Sequence, residues 1–172
     1  MTRTRLTFAA AVLALAAAGL AGCAAPAPAP TATSPAADAP PADGCAKVTV
    51  AVDFGPVEAD PIRACVAAGA ARDILDAAGT STEGTVDYGD QVVCRVNGLP
   101  SADEEVVIDG VDPFVETCAT LNANAYWALW VKGSARDSWE YAQEGLSTLV
   151  LEDGQSIGLV YTPGTDTTPP QD

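Results

Sequence analysis

The chain has 172 residues, a formal charge of −15 from 23 acidic and 8 basic side chains, five cysteines and no histidine. With two low-complexity ends set aside, about 115 residues remain, enough for one ordinary domain and too few for two. The acidic balance repels phosphate backbones and so excludes nucleic acid as a partner, while the lack of histidine removes Ser-His and Cys-His nucleophile pairs and nearly all catalytic zinc sites.

Residues 1–22 carry Arg3 and Arg5, then an apolar run from Leu6 to Leu20, the pattern of an export signal. Removing those two positive charges leaves −17 for the rest of the chain. Leu20-Ala21-Gly22-Cys23 resembles the bacterial lipobox. That resemblance implies cleavage before Cys23 and attachment of a diacylglyceryl group to its sulfur. Two acyl chains suffice for stable anchoring where one is marginal, so the expected location is extracytoplasmic, on the cell membrane, with Cys23 as the lipid-bearing residue. Residues 24–44, AAPAPAPTATSPAADAPPADG, cannot bury a core and are expected to form an extended linker. Cys45, Cys65, Cys94 and Cys118 then remain in an oxidising setting, and an even number predicts two disulfides. No pair has close metal-ligand spacing, so no metal site and no cofactor is expected.

Within the domain, expected over residues 45–161, KVTVAVDF (47–54) reads as a strand, GPVEADP as a turn and residues 62–66 as a second strand. A hairpin centred near Gly55 sets Cys45 opposite Cys65, which predicts that disulfide. GAARDILDAAGT reads as the one helix, with Ala70, Ile74, Ala77 and Ala78 on one face and Gly79 as its C-terminal cap. A polar loop (80–90) leads to the strand QVVCRV, which ends in the turn pair Asn97-Gly98. Cys118 returns after an acidic excursion, predicting Cys94–Cys118, and each bridge is expected to contribute roughly 3 kcal/mol. AYWALWV and SWEYAQ follow as paired strands, and STLVLEDGQSIGLVY as a last hairpin bent at Asp153-Gly154. Residues 162–172 are expected to be a disordered tail. The order predicts a small antiparallel α+β domain with one helix, β-grasp-like and stapled by two disulfides.

All three tryptophans and two of the four tyrosines fall within residues 125–142. Strand alternation separates Ala125, Trp127, Leu129 and Val131 from Tyr126, Ala128, Trp130 and Lys132. With the turn centred between Ser134 and Ala135, Trp130 is set opposite Trp139 and Ala128 opposite Tyr141. Tyr126, Trp130, Trp139 and Tyr141 then form one aromatic face. Either the acidic excursion or another strand covers it, or it is an open platform for a flat ligand or a partner's side chain.

VTVAVDFG, VVCRVNG, YWALWV, Trp139-Glu140-Tyr141, Gly145 and DGQSIGLVY come in an order similar to that of actinobacterial exported proteins. Their domain is similar to the C-terminal domain of transcobalamin and intrinsic factor. The similarity spans residues 47–161. Tyr126 and Trp127 match the family's Tyr-Trp pair, Trp139 and Tyr141 its following aromatic strand, Gly154 and Gly158 its hairpin glycines, and Tyr161 its closing aromatic. Leu159 stands where the family often has Trp. The resemblance implies a ligand- or partner-binding module and adds Tyr161 to the expected ligand-binding set.

Asp103, Glu104, Glu105, Asp109, Asp112 and Glu116 form an acidic cluster with only part of a calcium-loop pattern, and they read as a solvated loop. The serines lack a base partner, so no catalytic residue and no enzyme activity is expected. The expected function is a lipid-anchored envelope module that binds a small flat ligand or an envelope protein, accessory to a membrane transporter. The alternative is a protein-only interaction module, either a structural envelope protein or a two-disulfide protease inhibitor presenting residues 99–117.

Overall fold

The computed structural model describes residues 45–166 and 168–171. The signal segment 1–22, Cys23 and the linker 24–44 lie outside the described residues.

The first strand, β1 (Val48–Asp53), alternates β-branched residues, and Val48, Val50 and Val52 are fully buried. It pairs antiparallel with β2 (Ile62–Val66), Thr49 facing Cys65 and Val52 facing Ile62. The hairpin therefore centres near Val57, two residues beyond the expected Gly55. Cys45, three residues ahead of the strand, still reaches Cys65, with 5.7 Å between Cα atoms. A short β3 (Gly69–Ala70) leads into the helix α1 (Ala71–Ala77). Ala71, Ile74 and Leu75 form its buried face, whereas Ala70 and Ala77 are exposed. The apolar stripe is thus rotated from the expected one, because Leu75 rather than the small alanines supplies most of the apolar area. Gly79, at φ +74°, does close the helix: its N–H bonds Asp76 O and that of Thr80 bonds Leu75 O, a Schellman arrangement.

The expected polar loop 80–90 contains a strand, β4 (Thr82–Thr85), paired with β5 (Gly89–Val96). The acidic excursion is itself a hairpin of β6 (Glu105–Ile108) and β7 (Val111–Val115). Val106 and Ile108 point into the core, while the carboxylates before Glu116 stay in solvent. Cys94 and Cys118 close this stretch, with 5.4 Å between Cα atoms. Arg95 braces it from below: its guanidinium donates to Pro100 O, Glu116 O and the Glu83 carboxylate, at 2.9, 2.6 and 2.9 Å. Two disulfides in one small domain fit an oxidising, extracytoplasmic setting.

The central sheet is completed by β8 (Ala125–Lys132), β9 (Glu140–Tyr141) and β11 (Ser156–Pro163), in the order β2-β1-β11-β8-β9. It is antiparallel except at its centre, where β1 and β11 run parallel, Ala51 beside Gly158. The expected terminal hairpin does not form: β10 (Val150–Leu151) pairs with β3 instead, and β11 fills the gap between β1 and β8. The architecture is α+β, strand-rich with one helix. One sheet face carries the main core, where Ile74, Leu75, Val96 and Val106 pack against Val50, Ile157, Leu159 and Trp127.

Residues 162–171, expected as disordered, are ordered where described. β11 continues through Pro163, and Gly164 N–H bonds Asn124 O. The chain then turns at Asp166, whose carboxylate accepts from the N–H and hydroxyl of Thr168, and recrosses the sheet. Pro170 is buried there, and Gln171 N–H donates to the Asp53 carboxylate at 2.8 Å. Proline-rich composition prevents a segment from building its own core, yet one prolyl ring suffices to dock on a core built elsewhere.

Candidate functional site

The sheet face turned away from the helix carries a second, smaller apolar cluster of Ala128, Trp130 and Val160 with Tyr126, Trp139 and Tyr141 around them. Four of the five expected ligand-binding residues are therefore brought together. The registry differs from the expected one: Trp130 faces Tyr141, not Trp139, and Val131 faces Glu140. The loop between the strands is longer than the six-residue turn expected, so β9 slides by two positions. A slip of two preserves the side-chain parity, which is why the face survives the error.

The Trp130 and Tyr141 rings stack with centroids 4.0 Å apart and planes 25° apart. Trp139 lies over β11, and the Lys132 ammonium sits 4.7 Å from its ring centroid, a cation–π contact. Between these aromatics Gly158 forms the floor. A Cβ there would lie 2.4 Å from Pro170 Cγ and 3.1 Å from the Trp139 ring. The face is thus neither an open platform nor covered by the acidic excursion; the C-terminal segment lies across it. Trp130 is 5% exposed, and its indole N–H has no hydrogen-bond partner among the described residues.

Asp53 ties this cover to the edge of the sheet. One carboxylate oxygen accepts from Arg63 at 2.7 Å and the other from Gln171 N–H. Arg63 is itself fixed by bonds to Val52 O and Ile62 O, so the carboxylate is held facing the tail. At the far end of the face, burial and then the adjacent Tyr126 hydroxyl and the Asp166 carboxylate push the Tyr141 phenol up to about 12. An open groove of about 290 Å³ begins there, lined by Tyr126 and Tyr141 with Gln91, Leu121 and Glu144.

Tyr161 does not belong to the site. It pairs with Trp127 across β8 and β11, so it points to the opposite face, 1% exposed, its ring centroid 5.4 Å from that of Trp127. Phe54 meets the other edge of Trp127, and the Trp127 indole N–H donates to Leu99 O at 3.2 Å. Burial, with Glu116 nearby, raises the Tyr161 phenol well above its ordinary value. Alternation along SIGLVY already separates Tyr161 from Gly158 and Val160, a signal that comparing motifs alone passes over.

Cys94, Cys118 and Glu116 have ligand atoms within 4.8 Å of one another. Both sulfurs are spent in the disulfide, and the Glu116 carboxylate accepts from Cys118 N–H and the Asn122 amide, so the cluster is a structural brace. Asp53, Arg63, Gly158 and Pro170 are the members of the site that sequence reasoning missed. None stands out in composition, and they meet only because the first and last strands are neighbours. No family model, curated protein or solved structure matches this chain.

Proposed function

We propose that this protein is a lipid-anchored cell-envelope binding module, tethered through Cys23, whose aromatic second face takes a small flat ligand or a partner protein, as an accessory to a membrane transporter. The observation that carries this reading is the face itself. Tyr126, Trp130, Trp139 and Tyr141 lie outside the main core, and what is seated on their face, at Gly158 beside Trp139, is a terminal peptide rather than a sheet or helix. A core-forming face would be sealed by regular structure; one sealed by a short terminal segment can be uncovered at modest cost. The strand order, with a parallel central pair and one helix on a single face, supports the β-grasp-like reading and is compatible with the resemblance to transcobalamin C-terminal domains.

The test is a titration of the chain with a panel of corrinoids and flavins, following tryptophan emission, in the native protein and in a variant ending at Pro163. Quenching that strengthens when the cover is removed is expected. Absence of any change in both proteins defeats the small-ligand reading. Protease inhibition by the same preparation would favour the rival, in which residues 99–117, whose hairpin exposes Val107, are the contact element. Anchoring is tested separately: Cys23→Ala should move the protein from the membrane fraction to the medium.

A further inference from the structure

The contacts that seat the C-terminal segment define what the face reads. Pro170 fills the slot above Gly158 beside Trp139, and the next residue gives its backbone N–H to Asp53. The Gln171 side chain is exposed, so its identity is not read. A proline seated beside a Trp ring is the chemistry by which aromatic-lined grooves hold proline-rich peptides. On the same face, beside Gly158, the buried Trp130 has an indole N–H with no hydrogen-bond partner among the described residues.

The docked sequence, Pro169-Pro170-Gln171, opens on a Pro-Pro pair that the chain carries once more, at Pro40-Pro41-Ala42 in the linker. We propose that the face built by Gly158, Trp130, Trp139 and Asp53 is a slot for a Pro-Pro-x peptide whose third residue has a free backbone N–H. It is filled in cis by the chain's own tail and, when the tail lifts, by Pro40–Ala42 of a second copy. Ala42 supplies the N–H that Gln171 supplies now. The same copy's linker would have to stretch to dock in this polarity. Ala42 would sit at Asp53, yet three residues later Cys45 is pinned to Cys65 beside Thr49. Three residues span at most about 11 Å and Thr49 to Asp53 along the strand is about 13 Å, so a linker docked on its own domain would be close to fully extended, whereas that of a second copy carries no such restraint. Copies concentrated on a membrane by their lipids would meet through these linkers.

This inference rests on reading the aromatic face as the binding surface, and the experiment separates the two. The chain from residue 23, carrying Cys23→Ser, is titrated with the peptide of residues 36–44, following tryptophan emission. It is studied as such and with Gln171→Pro, which deletes the N–H bonded to Asp53, or with Pro170→Ala. The tail competes at an effective concentration near millimolar, so either variant should bind the peptide about tenfold more tightly than the parent. Peptides carrying Pro41→Ala or Ala42→Pro should not bind. In sedimentation, the variants should associate with rising concentration, and Pro40→Ala/Pro41→Ala in the same chain should abolish that association. No peptide binding by either variant, or linker docking independent of concentration, overturns the proposal. If the variants then bind a corrinoid or flavin, the wider function stands without it; if they bind neither, both fall.

Discussion

Pro170 and Gly158 fit each other as ring and slot: a Cβ on Gly158 would stand 2.4 Å from the prolyl Cγ. Gly158→Ala should therefore lift the tail, and crowding in a packed site of this kind typically costs about 1–3 kcal/mol. Two measurements check it: urea unfolding, and the rate at which carboxypeptidase trims the chain, which should rise. An unchanged trimming rate would show that the ring moves aside without release.

The two buried tryptophans should respond differently to loss of their indole N–H. Trp127→Phe removes one of two donors to Leu99 O, the other being Val96 N–H, and disturbs contacts with Phe54 and Tyr161. Trp130→Phe removes a donor that has no partner among the described residues, so its cost is one of packing. Trp127→Phe is expected to be the more destabilising, by about 0.5–1.5 kcal/mol, the worth of one hydrogen bond. Denaturant melts that rank the pair the other way contradict the assignment of faces.

Alkaline pH should loosen the domain by a predictable route. The Tyr141 phenol is held up to about 12, above the value of 10.0 it has when free, so the unfolded chain loses that proton first. The stabilisation is complete below pH 10 and is lost as pH rises towards 12. Spectrophotometric titration of tyrosinate should show Tyr141 and Tyr161 ionising late, and Tyr141→Phe should flatten the fall in stability over that window. A melt independent of pH from 10 to 12 would refute the buried phenol.

Reduction should distinguish the two disulfides. Cys94 and Cys118 are 5% and 4% exposed, whereas Cys45 and Cys65 are half-buried at the edge of the sheet. A mild phosphine should open Cys45–Cys65 first, with Cys94–Cys118 yielding only on unfolding, as read by alkylation and peptide mass. Removing the inner bridge as Cys94→Ala/Cys118→Ala should cost about 3 kcal/mol for a loop of this length.

Local patterns in the sequence carried local structure well. Alternation in VTVAVDF, the glycine after DILDAA and the cysteine spacing foretold β1, the helix end and both bridges. The aromatic face was legible because parity survives a two-residue slip. What failed depended on distant partners. STLVLEDGQSIGLVY has the sequence of a hairpin, but Val150 and Leu151 find Gly69 and Ala70, and Ser156–Pro163 finds β1 and β8. The tail misled for the same reason: Pro170 is buried only because Gly158, Trp139 and the Arg63-held Asp53 converge there from three separate strands and a loop.

The parallel pairing of β1 with β11 sets the order in which the sheet can close. Thr49 waits for Ser156, so every chain that has not yet delivered its last strand has a sheet split down the middle, with β2-β1 on one side and β8-β9 on the other. Contacts so far apart in sequence also form slowly. The sheet thus stays open until residues 156–163 are in place, and its locking and the seating of the proline cover, a few residues further on, fall together as one late step of folding.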